Sequence, residues 1–387
     1  MRRFSLSRKS MTSLATACAL FATATAYSQQ TVPSFPNVGD KFITLPPEAN
    51  FPEGLGADPS TGDLFVGTFD VQPDGSGSNY LLRYNRAGQL TAQLSLGVVP
   101  VTGVTFNPRD KKVYFAQPAG LLGLPSFINR VPATFDASTT LETVALIPNI
   151  GAPANRTEFA IDRSPITITF PDAIPAPNGL AFRASDGALF ITDSLQGSIF
   201  KIENPVTAAN ICPTTSNCVQ TVKQDPLLAT AAFPQLGVNG AVFSADESTL
   251  FLTNTGDDRL LSLKLADGSL SVLTESLEGA DGIQLGPNST LIVSRALADE
   301  FAVISPTTGR ILAELGEFRG IRPDGTVKGF LFPGSFVIVN NVLYANNLAL
   351  PLAGSPAEPE LDVRAYTISR LPLAPWYPAA SGEVTQY

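Results

Sequence analysis

Histidine is absent from this chain of 387 residues, and that absence excludes several kinds of catalytic site. Ser-His-Asp and Cys-His systems need an imidazole as the base, and the common metalloprotease motifs need it as a zinc ligand. Only three cysteines are present, so a zinc site built from the usual His and Cys ligands is excluded too. Any catalysis must therefore depend on carboxylates, amides, hydroxyls or a hard metal ion.

Charged residues are also scarce, at 15% of the chain, and acidic residues outnumber basic ones by 34 to 25. The net charge is −9, and no cluster of lysine and arginine follows the first nine residues. A surface of this kind does not attract nucleic acid or anionic membranes. We expect a monomer that has no nucleic-acid or membrane partner and acts on a small molecule.

The N-terminus has the composition of an export signal. Basic residues among the first nine precede the short apolar run "MTSLATACALFATATA", and either Ala24 and Ala26 or Ala26 and Ser28 have the spacing of a signal-peptidase site. We therefore predict a secretion signal peptide over residues 1–28 and a secreted or periplasmic mature protein. Cys18 raises a lipoprotein alternative, but Ala15 stands where a larger aliphatic residue is usual, so we favour ordinary secretion.

Two cysteines remain after this leader, Cys212 and Cys218, in the stretch "ICPTTSNCVQ". In an oxidising compartment two cysteines this close in sequence favour a local disulfide. We expect the disulfide to be structural and to close a short loop.

Helical periodicity is lacking beyond the leader, whereas a β-hairpin pattern recurs six times. The copies are "PEGLGADPSTGDLFVGTF" from Pro52, "VTGVTFNPRDKKVYFAQ" from Val101, "PNGLAFRASDGALFITDS" from Pro177, "VNGAVFSADESTLFLTNT" from Val238, "ADGIQLGPNSTLIVSRA" from Ala280 and the degenerate "PGSFVIVNNVLYANN" from Pro333. The intervals hold further hairpins, such as "RLLSLKLADGSLSVLTE". Four antiparallel strands in each of six units predict an all-β fold, a six-bladed β-propeller occupying residues 29–387. A solenoid would need more uniform repeats and caps.

Closure of the ring and two insertions complete the predicted architecture. We expect "DKFITLP", residues 40–46, to supply the outer strand of the last blade beside "DVRAYTISRL". One insertion contains "AGLLGLPSF" and a polar stretch over residues 151–165, and the other is the Cys212–Cys218 loop. Such loops either cover the mouth of a site or pack against neighbouring blades, and the sequence leaves both open. The apolar "AGLLGLPSF" loop would suit a partly hydrophobic substrate.

One polar residue precedes the glycine at the start of each inner strand, and these six positions should converge at one end of the central channel. They are Glu53, Thr102, Asn178, Asn239, Asp281 and Ser335, with Gly334 as the alternative for the last. Each of them could be no more than a turn residue. However, two carboxylates facing each other in a narrow channel are costly unless a cation lies between them, and carboxylate and amide oxygens are what Ca²⁺ prefers. We predict that Glu53, Asn178, Asn239 and Asp281 bind one divalent cation, with Ca²⁺ favoured.

The ends of the second strands should form another ring at the same mouth. Its members would be Thr68, Gln117, Asp193, Asn254, Ser294 or Arg295, and Asn346. Asp193 could lie behind the metal ligands or orient water, or it could make an ordinary hydrogen bond in a turn or between blades.

In these residues the chain resembles the senescence marker protein/gluconolactonase family of six-bladed propellers, and more distantly paraoxonase and diisopropylfluorophosphatase. The motifs that carry the resemblance are "FPEGL", "PNGLAF" followed by "LFITDS", and "ADGI". The family binds one catalytic divalent cation, usually Ca²⁺, through a Glu, two Asn and an Asp in that order. The resemblance implies the same roles for Glu53, Asn178, Asn239 and Asp281. A histidine pair associated with paraoxonases has no counterpart here.

The function that follows is metal-dependent hydrolysis of a lactone or a related ester. The cation would polarise the carbonyl, and Asp281, with Glu53 as the alternative, would take a proton from water as general base. A second hypothesis is a non-catalytic binding or scaffold propeller in which the ring holds a structural ion. A third, a relative of strictosidine synthase, lacks a counterpart of the catalytic acid.

Overall fold

The computed structural model describes residues 32–35, 39–72, 76–171, 173–352 and 355–373. The leader predicted over residues 1–28 lies outside these ranges. Over the described residues the chain forms a six-bladed β-propeller with four-stranded antiparallel blades, so the predicted fold is confirmed.

The strands follow one another blade by blade. Two strands precede the first blade: β1 (Ser34–Phe35) and β2 (Asp40–Thr44). Blade 1 contains β3 (Pro52–Asp58), β4 (Asp63–Thr68), β5 (Asn79–Tyr84) and β6 (Leu90–Gly97). Blade 2 contains β7 (Val104–Asn107), β8 (Lys112–Gln117), β9 (Phe127–Pro132) and β10 (Glu142–Leu146). A separate hairpin follows, formed by β11 (Arg156–Phe159) and β12 (Pro165–Ile168).

Blade 3 contains β13 (Pro177–Phe182), β14 (Leu189–Asp193), β15 (Ser198–Ile202) and β16 (Val219–Gln224). Blade 4 contains β17 (Val238–Phe243), β18 (Thr249–Asn254), β19 (Arg259–Lys264) and β20 (Leu270–Thr274). Blade 5 contains β21 (Ala280–Leu285), β22 (Leu291–Arg295), β23 (Glu300–Ile304) and β24 (Ile311–Leu315). A second separate hairpin is formed by β25 (Phe318–Ile321) and β26 (Val327–Gly329), and blade 6 contains β27 (Phe336–Val339), β28 (Val342–Asn346) and β29 (Thr367–Pro372). Short 3-10 turns lie at Ala119–Leu122, Ala208–Asn210, Pro287–Ser289, Ala296–Ala298 and Pro359–Asp362.

Blade 6 takes its outer strand from the beginning of the described chain. Strand β2 pairs antiparallel with β29, so that Asp40 lies opposite Arg370 and Thr44 opposite Thr367. The predicted closure by "DKFITLP" is therefore confirmed. It joins the two ends of the ring by backbone hydrogen bonds. In addition, β1 pairs parallel with β24 at the edge of blade 5.

The hydrophobic core lies between adjacent blades, because each sheet presents one apolar face to the next. Rings from neighbouring blades meet edge to face, as Phe190 of blade 3 does with Phe243 of blade 4, at 5.1 Å between centroids. Phe301 of blade 5 and Phe336 of blade 6 pack in the same way, at 5.2 Å. This packing fixes the rotation of each blade relative to the next, and hence the direction in which its inner strand points along the channel.

A change of register marks the beginning of the inner strand in blades 1, 3, 4 and 5. In blade 3, Pro177 lies opposite Asp193 but Leu180 lies opposite Ile191, so the pair Asn178-Gly179 sits in a β-bulge. Bulges re-aim side chains and end regular pairing. Asn and Gly, both poor strand formers, therefore open this strand because the backbone leaves the regular ladder there.

The disulfide between Cys212 and Cys218 is present, as predicted. It closes the connection between β15 and β16, and this loop packs against the outer strand of blade 2, where the Cys212 amide donates to the Val144 carbonyl at 2.8 Å. Of the two roles left open, the loop has the packing role. No helix among the described residues has the length and apolar character to cross a membrane.

Candidate metal centre

One end of the central channel opens into a cavity of about 590 Å³, including the open solvent at its mouth. The cavity is bounded by the starts of the inner strands and by the connections between the second and third strands. Its lining residues are Glu53, Phe69, Thr102, Pro118, Leu121, Ala176, Pro177, Asn178, Ser194, Pro234, Leu236, Thr255, Asp281, Phe332, Leu348, Leu350 and Leu352.

Three of the four predicted metal ligands line this cavity: Glu53, Asn178 and Asp281. All three are buried, with Glu53 6% and Asp281 4% exposed. Asn239 is also buried and is not part of the cavity lining, but its side chain hydrogen-bonds with Asp281. Thr102, another member of the predicted ring, lines the cavity as well, and its hydroxyl donates to the Pro177 carbonyl at 2.8 Å.

The sixth position of the ring is Gly334, not Ser335. A β-carbon placed on Gly240 would meet the backbone oxygen of Asp281, the ring residue of the next blade, and one placed on Gly282 would meet that of Gly334. Ser335 thus occupies the position that glycine holds in the other blades. Its side chain belongs to a different cavity, lined also by glycines such as Gly103 and Gly179.

The absence of a side chain at Gly334 makes room for the carboxylate of Glu53. A β-carbon on Gly334 would lie 2.6 Å from Glu53 Oε2, closer than any van der Waals contact allows. The acid of blade 1 therefore occupies space that a sixth side chain would take. The degenerate blade 6 leaves a gap in the ring, and Glu53 fills it.

Hydrogen bonds from the amide nitrogens orient the two asparagines. Asn178 Nδ2 donates to Ser194 Oγ at 3.2 Å, and Asn239 Nδ2 donates to Thr255 Oγ1 at 3.0 Å. Ser194 Oγ in turn donates, at 2.8 Å, to the backbone oxygen of Val238, which is a residue of the next blade. Because the amide nitrogens are engaged in this way, the carbonyl oxygens are the groups available as ligands.

Backbone contacts from blade to blade hold the same residues in place. Thr192 Oγ1 accepts from the Gly179 amide at 2.8 Å and donates to the carbonyl of Asn239 in the next blade. Thr253 repeats this contact between the Gly240 amide and the carbonyl of Asp281. The positions of Asn239 and Asp281 are therefore fixed by the blade that precedes each of them.

Blade 6 makes the equivalent contact to blade 1 with an amide instead of a hydroxyl. Asn346 Oδ1 accepts from the backbone amides of Gly334 and Ser335, at 3.0 Å each. Its Nδ2 donates to the backbone carbonyl of Glu53. One side chain thus joins the last blade to the first at the candidate centre.

The two carboxyl groups at the centre lie close enough to affect each other's ionisation. Burial, and then repulsion from Asp281, raise the pKa of Glu53 well above its usual range. Burial raises the pKa of Asp281 to about 7, and a hydrogen bond with Asn239 opposes this increase. In addition, Glu53 Oε2 is buried without a hydrogen-bond partner among the described residues. An unpartnered buried carboxylate oxygen facing a second acid is the environment that a bound cation would stabilise.

The donor set fits a hard divalent cation. Two carboxylates and two amide carbonyls are all oxygen ligands, which Ca²⁺ prefers. The described part of the chain contains no group of three or more His, Cys, Asp and Glu side chains suited to a metal. A centre here must therefore combine the two acids with amide oxygens.

The predicted second ring lies away from the cavity lining, and its side chains make hydrogen bonds within and between blades. Asp193 accepts from the Ala176 amide at 2.9 Å and from Gln196 Nε2 at 2.9 Å, which is the hydrogen-bonding role considered for it. In blade 5 the residue at the position equivalent to Asp193 is Arg295 and not Ser294, because Arg295 lies opposite Ala280. The predicted Asn346 instead makes the contact to Glu53 described above.

Much of the apolar lining comes from residues that the sequence reasoning missed. Leu348, Leu350 and Leu352 follow β28 in the stretch "NLALPL" and all line the cavity, as does Phe332. Apolar residues at every second position of an extended segment lie on one side of it, and this spacing could have indicated them. From the predicted loop "AGLLGLPSF" only Leu121 contributes to the lining.

Comparison with known proteins shows the fold. No family model matches the chain, and no match was found among curated proteins. Among solved structures, the calcium-binding protein regucalcin from Agrobacterium tumefaciens strain C58 is similar at 14% identity with a TM-score of 0.56, over 88% of this chain and 95% of that one. A luciferin-regenerating enzyme is similar at 12% identity with a TM-score of 0.51, over 87% and 93%. A catalytically inactive virginiamycin B lyase from Staphylococcus aureus aligns at 14% identity with a TM-score of 0.46, over 79% and 80%.

Proposed function

We propose that this protein is a metal-dependent hydrolase of lactones or related esters, with one divalent cation, Ca²⁺ by its donor set, at the channel mouth. The observation that carries the proposal is the buried pair Glu53 and Asp281 at an open cavity, with Glu53 Oε2 unpartnered among the described residues. The regucalcin neighbour is described as calcium-binding, but its likeness concerns the fold alone. The proposal therefore depends on the residues of this chain.

Glu53, Asn178, Asn239 and Asp281 would hold the cation through their side-chain oxygens. When bound, the cation supplies polarisation of the substrate carbonyl. The contacts to Ser194 and Thr255 keep the two amides in fixed orientations, so little reorganisation is needed during the reaction. Buried positions also limit the water that competes for the same oxygens.

Asp281 is the group that we assign as general base, with Glu53 as the alternative. One of its carboxylate oxygens would accept a proton from the attacking water, whose oxygen bonds to the acyl carbon. The acyl carbon–oxygen bond breaks, and the leaving oxygen takes up the proton. A lactone would thus give a hydroxy acid, with no oxidant or reductant involved.

The test combines metal analysis with a panel of lactones and esters. We expect about one cation per chain in the purified protein, and we expect chelation to abolish hydrolysis. Glu53→Gln should lose the cation, and Asp281→Asn should lower kcat/KM by about 100-fold or more. Asp193→Asn is the matched control, because it removes a buried carboxyl that does not line the cavity, and it should retain the cation and the activity.

A structural ion is the second candidate, favoured by the direct contacts that join the candidate ligands from blade to blade. Under that hypothesis Ca²⁺ would raise thermal stability, and no ester in the panel would be hydrolysed. Hydrolysis that survives both chelation and Asp281→Asn would refute the proposed mechanism.

We also propose that the protein is exported and acts as a monomer on a small molecule. The Cys212–Cys218 disulfide supports export, because such bonds persist in oxidising compartments. The check is to fractionate cells that express the full chain and to sequence the N-terminus of the mature protein. Light scattering of the purified protein gives its oligomeric state.

A further inference from the structure

The outer part of the cavity is a hydrophobic wall. Leu348, Leu350 and Leu352 line it, and they pack with Phe332 and Phe51 in one apolar cluster. The Leu348 amide donates to the Phe332 carbonyl at 3.2 Å, which ties the leucine segment to the chain that precedes β27. A bound molecule would therefore meet the acid pair at one end and hydrocarbon along its length.

The hydroxyl groups of the lining are already used by the protein. Ser194 Oγ and Thr255 Oγ1 donate to backbone carbonyls of neighbouring blades, each at 2.8 Å, and Thr102 Oγ1 does the same at 2.8 Å. A polyhydroxylated ligand would bury hydroxyls that find few donors or acceptors here. Each hydroxyl left unpaired weakens binding by about tenfold.

The charges of the lining exclude anionic ligands in the same way. Of the described residues around the cavity, the charged ones are the acids Glu53 and Asp281, and none is basic. A carboxylate or phosphate on the ligand would find no Arg or Lys partner. The two charges of the proposed cation are already balanced by Glu53 and Asp281, so the loaded site has no net positive charge to offer an anion. The ligand that fits best is uncharged.

We propose that the substrate is an uncharged lactone or ester with a single polar end and an extended apolar body, and that Leu350 and Leu352 determine this preference. The carbonyl lies at the Glu53 and Asp281 end, and the alkyl or aromatic part lies along the leucine wall. Sugar lactones are disfavoured. This inference rests on the proposed function.

The experiment compares γ-lactones with alkyl chains of increasing length against glucono-δ-lactone. We expect kcat/KM to rise by about fourfold for each methylene that the wall covers. Leu350→Asn should flatten this dependence, and Leu352→Asn should do the same. Leu361→Asn is the matched control, because Leu361 is an exposed leucine of the same connection and lies outside the cavity lining, and it should retain the dependence.

A binding measurement separates this inference from the proposed hydrolysis. Cyclic ketones with the same alkyl chains cannot be hydrolysed, and their affinity is measured by calorimetry in the presence of Ca²⁺. Affinity that rises with chain length, without turnover of any lactone, would refute hydrolysis and support the apolar ligand class. Affinity independent of chain length, or glucono-δ-lactone as the best substrate, would overturn the inference even if hydrolysis is observed.

Discussion

Replacing Asp281 by Asn should stabilise the protein at alkaline pH when no divalent cation is present. Burial raises the pKa of Asp281 from 3.8 to about 7, so the folded state holds this proton more tightly than the unfolded state does. The contribution of Asp281 to the unfolding free energy is fully present below about pH 4 and is lost as the pH rises through about 7. The variant has no such carboxyl and does not lose this contribution.

The size of the effect follows from the shift in the pKa. A shift of about three units corresponds to about 4 kcal/mol of unfolding free energy between pH 4 and pH 8. For a domain of this length, that is a change of about 6 °C in the melting temperature. Glu53 responds to the substitution as well, because Asn at position 281 removes the repulsion that adds to burial in raising the pKa of Glu53. The other buried acids are present in both proteins, so their contributions largely cancel in the difference.

The assay is thermal unfolding of the wild type and Asp281→Asn, at pH 5 and pH 8, with a chelator or with Ca²⁺. At pH 8, Ca²⁺ at 100 times its Kd should raise the unfolding free energy of the wild type by about 2.7 kcal/mol. It should leave the unfolding free energy of the variant unchanged. Asp193→Asn is the control, because burial raises the pKa of Asp193 to about 6 without placing it on the cavity lining, so this variant should still respond to Ca²⁺. If the wild type and Asp281→Asn have the same pH dependence and neither responds to Ca²⁺, the reasoning about the acid pair is refuted.

Three further predictions concern stability and the shape of the centre. Replacing both Cys212 and Cys218 by Ser should lower the unfolding free energy by about 2 kcal/mol, measured in urea, and leave any Ca²⁺ response intact; an unchanged midpoint would contradict it. Gly334→Ala should displace the Glu53 carboxylate and weaken Ca²⁺ binding by tenfold or more in calorimetry, whereas unchanged affinity would show that Glu53 is not a ligand. Asn346→Ala should cost about 2 kcal/mol in urea unfolding, because it removes contacts between the last blade and the first; no loss would mean that this junction is held elsewhere.

The sequence predicted the ring of polar residues only as far as the repeat was regular. In blades 3, 4 and 5 an apolar strand follows each of Asn178-Gly179, Asn239-Gly240 and Asp281-Gly282, so the repeat itself gives the register. In blade 6 the pattern "PGSF" allowed two registers. Contacts with the preceding blade decide between them, because the glycine after Asp281 packs on the backbone of Gly334.

The wall of the cavity shows a different limit. Leu350 and Leu352 belong to a long connection, and their apolar alternation is the same signal that a buried strand gives. No local feature of the sequence indicates that this segment turns over the mouth of the channel. Its packing on Phe332, which lies before β27, places it there.

The amino-acid sequence by itself determined the number of blades, the strands within them and the disulfide, because each depends on local periodicity or on short spacing along the chain. The closure by residues 40–46 followed from the repeat count, because the last blade lacked an outer strand and the segment before the first blade could supply it. Only the tertiary structure decided that Glu53 occupies the gap beside Gly334 and that leucines line the mouth of the cavity. It also decided that Asn239 lies outside the cavity lining, where its side chain hydrogen-bonds with Asp281. These features depend on how far each blade is rotated against its neighbour. That rotation results from side-chain packing between residues far apart in sequence, which no local pattern records.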